Sequence, residues 1–144
     1  MIRKAIFPSM ILAILGVLPA QGASRPFDPV KDVGMVLARG VLTVTLPPGV
    51  HLKRRFFQVA LASGSGRITA GPLPPAEGRD DAGDSVWRGT LRVPLRGEGL
   101  KDPVVLRITY QPCTEGTGSV CYLPQHRLLP VAAAEIPAGI RPGP

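Results

Sequence analysis

Runs in which apolar and polar residues alternate with period two dominate this chain, and helical periodicity is nearly absent. Alternation by twos sends successive side chains to opposite faces of an extended strand, so such runs predict half-buried β-strands. Val41-Leu42-Thr43-Val44-Thr45-Leu46 alternates in this way until Pro47-Pro48-Gly49 ends it in a turn. Val50 to Ala62, with Phe56, Phe57, Val59 and Leu61, predicts a long strand with a bend. Ser63-Gly64-Ser65-Gly66 reads as a flexible turn, with a short strand around Ile68, and Gly71 to Asp84 reads as a long surface loop rich in proline, glycine and acid. Trp87 to Leu95 predicts a strand with Leu91, Val93 and Leu95 on one face and Thr90 and Arg92 on the other. Glu98 to Pro103 should turn the chain, and Val104 to Tyr110 should place Val104, Leu106, Ile108 and Tyr110 inward against Arg107 and Thr109. Arg127 to Ala132 supplies a last strand. Short strands separated by turn signals, with no helix between them, predict an all-β, antiparallel β-sandwich.

Composition adds an address to this pattern. Arg3 and Lys4 precede an apolar stretch from Ile6 to Leu18, and the small residues Ala20, Gly22 and Ala23 follow as a cleavage site. Residues 1–23 therefore read as a signal peptide, residues 24–136 as one sandwich domain, and the Pro- and Gly-rich residues 137–144 as a disordered tail. Cleavage removes two of 17 basic residues and none of the 10 acidic ones, which lowers the net charge from +7 to +5. The arginines are scattered and only Lys53-Arg54-Arg55 forms a cluster, directly before Phe56-Phe57. A nucleic-acid surface needs a denser patch, so this cluster reads as a solvated strand edge and no nucleic-acid partner is expected.

Export makes the cysteines informative. The only two, Cys113 and Cys121, enclose seven residues of polar, glycine-containing chain at the end of an alternating run. An oxidising compartment lets such a pair close a disulfide, and the strand pattern places it on a hairpin in which Cys113 ends one strand and Cys121 begins the next. Gly116 and Gly118 can take positive φ there, and Glu115 would raise a neighbouring thiol's pKa. The pair is either a structural staple or a reagent for thiol–disulfide exchange. No phosphate loop, His-Glu cluster or nucleophile elbow competes with it. His51 reads as a strand-surface residue, and a copper site from Met35, His51 and His126 has no spacing to support it. No metal or organic cofactor is expected.

Tyr110-Gln111-Pro112-Cys113, a short loop, and Cys121-Tyr122-Leu123-Pro124 resemble the N-terminal periplasmic domain of the thiol:disulfide interchange protein DsbD. Leu42 to Phe57 looks like a strand–turn–strand unit of that family, and Trp87 to Leu95 is similar to one of its strands. The resemblance implies an immunoglobulin-like sandwich in the periplasm. Such a domain would relay reducing equivalents through a Cys113–Cys121 dithiol/disulfide, as a component of a protein-disulfide reductase. It implies that Cys121 makes the mixed disulfide with partners and that Cys113 resolves it. The implied partners are thioredoxin-fold periplasmic proteins and a membrane thiol electron transporter, supplied as separate proteins. The alternative is an exported sandwich that binds a partner and keeps a purely structural disulfide. Three features depart from the family: the loop is longer, Arg79 to Ser85 lacks the aromatic cap residue, and His51 and Lys53 stand where the family has tyrosines.

Overall fold

A computed structural model describes residues 25–139; the expected signal peptide, residues 1–23, lies outside them. Nine strands follow in order: β1 Gly34–Ala38, β2 Val41–Thr45, β3 Val50–Lys53, β4 Gln58–Ala70, β5 Gly78–Arg79, β6 Ser85–Arg88, β7 Thr90–Tyr110, β8 Pro112–Thr114 and β9 Gln125–Val131. They form two antiparallel sheets, one in the order β1-β2-β7-β4 with β9 also on β7, the other β5-β6-β3-β8. The expected all-β antiparallel sandwich is the fold observed.

The alternation read from the sequence places the core. Leu42 and Val44 of β2, Leu52 of β3, and Leu91, Val93, Leu95, Leu106 and Ile108 of β7 are all but fully buried in one cluster. Trp87 of β6 enters the same cluster edge-on to Phe57, with ring centroids 5.7 Å apart, and its indole N–H donates to the Pro74 carbonyl at 3.0 Å. Such layers are held mainly by removing apolar surface from water.

Several boundaries differ from expectation. Val50 to Ala62 is broken by a 3₁₀ turn at Arg54–Phe56, so β3 and β4 belong to different sheets. The two turns expected at Ser63–Gly66 and Glu98–Pro103 are instead the facing limbs of one irregular β4–β7 ribbon, with Ser65 opposite Lys101 and Arg67 opposite Glu98. Register shifts absorb the glycines, and a Cβ on Gly66 would lie 2.5 Å from the Glu98 carbonyl oxygen, so glycine here marks close backbone approach, not a turn. β1 was not anticipated; it closes onto β2 through Arg39-Gly40, both at positive φ, the pairing a two-residue hairpin requires. Of the expected disordered tail, residues 137–144, Pro137 and Gly139 are hydrogen-bonded to Gly97, and residues 140–144 lie outside the described part.

Two crossings matter for the site. The chain leaves the first sheet after Tyr110, enters the second as β8, and returns through Leu123-Pro124 to begin β9. The cysteine hairpin therefore hangs at the place where the two sheets exchange chain.

Candidate functional site

Strand parity builds the site. Val50 and Leu52 point into the core, so His51 and Lys53 take the outer face of the second sheet. On that face His51 stands opposite Arg88 of β6 on one side and Cys113 of β8 on the other. Cys113 in turn bridges Cys121. Arg88, His51, Cys113 and Cys121 thus form one row across the sheet.

Cys113 and Cys121 are joined by a disulfide, with their Cα atoms 4.0 Å apart. The backbone bonds flanking them, Thr114 N–H to Val120 O at 2.8 Å and Tyr122 N–H to Pro112 O at 3.0 Å, make this the non-hydrogen-bonded pair of a small antiparallel ladder. The two cysteines are unequal in exposure: Cys113 is 1% exposed, whereas Cys121 lies open on the return limb. Cys121 does not begin the next strand as expected, since β9 starts at Gln125.

The residues around the cysteines fix this hairpin. Gln111 receives the Lys53 N–H on its backbone carbonyl and donates its side-chain amide to the Tyr122 carbonyl at 2.9 Å. Tyr122 packs edge-on against Phe27 and Tyr110 donates its hydroxyl to the Pro29 carbonyl, so both tyrosines tie the site to the N-terminal segment. Gly116 and Gly118 do adopt positive φ, at 88° and 73°.

A charged loop folds over His51 and Lys53. Asp80 accepts the backbone N–H groups of Ala82 and Asp84 on one carboxylate oxygen and faces Lys53 Nζ at 3.2 Å with the other. Lys53 also binds Asp84 at 2.7 Å, and Arg55 reaches Asp84 at 3.2 Å. Residues 79–84 are thereby buckled onto β3. The hydrogen bond to Asp84 lifts the Lys53 ammonium above its ordinary pKa, against the opposing effect of burial. Burial pushes the Asp80 carboxyl up, but the Asp84 amide and the Lys53 ammonium outweigh it and hold the group below the usual aspartate range. Burial acts on Glu115 in the same sense, and there the hydrogen bonds from Arg88 and His51 prevail and hold its pKa down.

Between loop and hairpin lies a cavity of about 290 Å³, lined by Cys113, Cys121, His51, Lys53, Asp80 and Glu115 among others. Its wall carries an exposed cysteine, a buried cysteine and paired charges.

Both cysteines named from the sequence are present here. His51 corrects its expected role: it is 5% exposed, not a surface residue, because the loop folds back over it. Lys53 likewise is buried instead of forming a solvated edge, while Arg54 and Arg55 are exposed. Glu115 is engaged by Arg88 and His51, so its charge is shared with two neighbours. Met35 and His126 sit on β1 and β9 of the other sheet, so the copper constellation is not assembled. Asp80 and Asp84 fall in Arg79–Ser85, the segment that the resemblance set against the family's cap, but their pairing with Lys53, and Arg88 as a site residue, were not expected; a further signal was the acidic run Asp80-Asp81 and Asp84, opposite in charge to Lys53-Arg54-Arg55.

No family model matches the chain. It is 31% identical over 93 residues to thiol:disulfide interchange protein DsbD of Cronobacter sakazakii, an alignment covering 62% of this chain but 16% of that protein. The crystal structure of the Neisseria meningitidis DsbD N-terminal domain in the reduced form superposes with a TM-score of 0.56 at 17% identity, covering 74% of this chain and 90% of that one. Sequence and fold together show a distant, partial homology to the N-terminal domain of DsbD.

Proposed function

We propose that the protein is a periplasmic thiol–disulfide exchange domain that relays reducing equivalents through Cys113 and Cys121. A thioredoxin-like donor, supplied by a membrane thiol electron transporter, reduces the disulfide, and the dithiol then reduces thioredoxin-fold acceptor proteins. A donor thiolate attacks the Cys121 sulfur, the bond to Cys113 breaks, and the donor's second thiol resolves the mixed disulfide. Transfer to the acceptor runs the same steps in reverse.

The observation that carries this reading is the unequal exposure of the two sulfurs. An attacking thiolate can reach Cys121 from solvent, while the leaving sulfur of Cys113 stays inside the cavity next to His51. A staple needs no such asymmetry, and two backbone bonds already close this hairpin. Homology to DsbD supports the same chemistry.

The test is to trap the intermediate. Cys113→Ala leaves Cys121 without a resolving partner, so periplasmic extracts should yield a covalent, thiol-cleavable adduct between Cys121 and a thioredoxin-fold protein. A Cys113→Ala protein that folds but forms no adduct, while Cys121 still reacts with a small alkylating reagent, overturns the proposal.

A further inference from the structure

We propose that His51 is the proton carrier of the exchange. It gives a proton to the Cys113 sulfur as that sulfur leaves the disulfide, and takes one from the Cys113 thiol when the disulfide re-forms. The inference rests on the exchange reading above and assigns the acid and base of that same site.

Three observations place the imidazole in this role. His51 lies directly opposite Cys113 in the β3–β8 ladder, and both line the cavity. Side chains opposite one another on one face of an antiparallel pair are neighbours. Its Nδ1 lies 3.0 Å from a Glu115 carboxylate oxygen, a group that can only accept when ionised, so the bond fixes a proton on Nδ1. Its Nε2 is buried without a hydrogen-bond partner; Asp80 Oδ2 stands 3.6 Å away, within ion-pair distance but beyond good hydrogen-bond reach. A histidine serving only to fill space would have that buried nitrogen satisfied. One nitrogen is anchored by Glu115, and the other faces Asp80 across 3.6 Å with no hydrogen bond to hold it.

The other charged groups around the ring are Arg88 on β6, Lys53 on its own strand, and Asp80 of the covering loop. Arg88 keeps its charge at every relevant pH. Asp80 and Glu115 are held below, and Lys53 above, their ordinary pKa values, so all three stay charged between about pH 5 and 9.

The step balances. A donor thiolate gives two electrons to form the new S–S bond at Cys121, and the old bond breaks with its electron pair on Cys113. Imidazolium His51 protonates that sulfur and becomes neutral, and it is recharged from solvent. The donor's second thiol then loses its proton to solvent, attacks its own mixed disulfide and releases Cys121 as thiolate, which solvent protonates. The donor ends as a disulfide and this protein as a dithiol.

The test reduces the oxidised full chain with excess dithiothreitol between about pH 5 and 9 and reads the rate per molecule of reagent thiolate. In the wild-type protein this normalised rate should be about tenfold higher on the acid side than on the alkaline side, a modest acid-catalysis effect because thiolates already leave well. His51→Gln should flatten the step. Identical profiles for wild type and His51→Gln overturn the proposal. If His51→Gln does not fold, nitrogen NMR of the wild-type ring at alkaline pH decides: a proton on Nδ1 with bare Nε2 supports the role, and the opposite tautomer overturns it. A wild-type step without any trapped partner for Cys113→Ala supports the proton carrier and overturns the relay. A trapped partner with a flat wild-type profile does the reverse.

Discussion

Lys53 has 9% of its side chain exposed and lies between Asp80 and Asp84, so replacing it with methionine leaves two carboxylates beneath one loop without their cation. Breaking a deeply buried pair costs about 3–5 kcal/mol, and here, under a single loop, about 2 kcal/mol is expected. Urea unfolding of Lys53→Met should show that loss, and backbone amides of residues 80–84 should exchange faster with solvent. Little change in both would mean that the loop is held by its own turn, in which Asp80 already accepts the Ala82 and Asp84 N–H groups. The lysine was legible in the sequence as a charge but not as a buried one. Period-two alternation assigns it to the face opposite Leu52, and that face is covered only because a segment 27 residues further on folds across it.

At the level of the hairpin, the disulfide closes a loop that backbone hydrogen bonds on either side also close. In the chain-entropy description so short a loop is worth about 2.5 kcal/mol, and a Cys113→Ser, Cys121→Ser double variant should lose about that much. Its far-UV circular dichroism should stay that of the wild type, since Gln111 and Tyr122 still pin the hairpin to β3 and to Phe27. Loss of the sandwich on removing the disulfide would favour a staple. The glycines on the two ribbons show why turn signals misled. Gly64 and Gly66 looked like a connection, yet both sit within β4, where they permit contact with the backbone of β7. Glycine signals unusual backbone geometry, and a bulge and a turn are alike in that respect.

For the molecule as a whole, the covering loop makes stability depend on pH from both sides. Asp80 and Glu115 have folded pKa values below their unfolded ones, so their contribution is complete above the usual carboxylate range, about 4, and disappears as the pH falls through the depressed values. Lys53 has a raised folded value, so its contribution is complete below the ordinary lysine value of about 10.4 and is lost as the pH rises through the higher one. The thermal midpoint should therefore hold level from about pH 5 to 10 and fall beyond either end. An Asp80→Asn variant should lose part of the acid slope; an unchanged slope would place the linkage elsewhere. Alternating strands such as Val41–Thr45 and Val104–Tyr110, the antiparallel sandwich and the cysteine pair with its flanking tyrosines all follow from local pattern, because side-chain parity and turn chemistry act over a few residues. What surrounds the disulfide does not. The row Arg88–His51–Cys113–Cys121 is assembled from three strands and a return limb, and the Asp80–Asp84 loop meets Lys53 across a distance that only closure of the sandwich removes. Sequence alone determined that this chain carries one cysteine pair on a β-sandwich. Tertiary packing decided which sulfur is exposed, which charges guard it and which imidazole stands beside it, since burial of a polar group is a property of what folds over it.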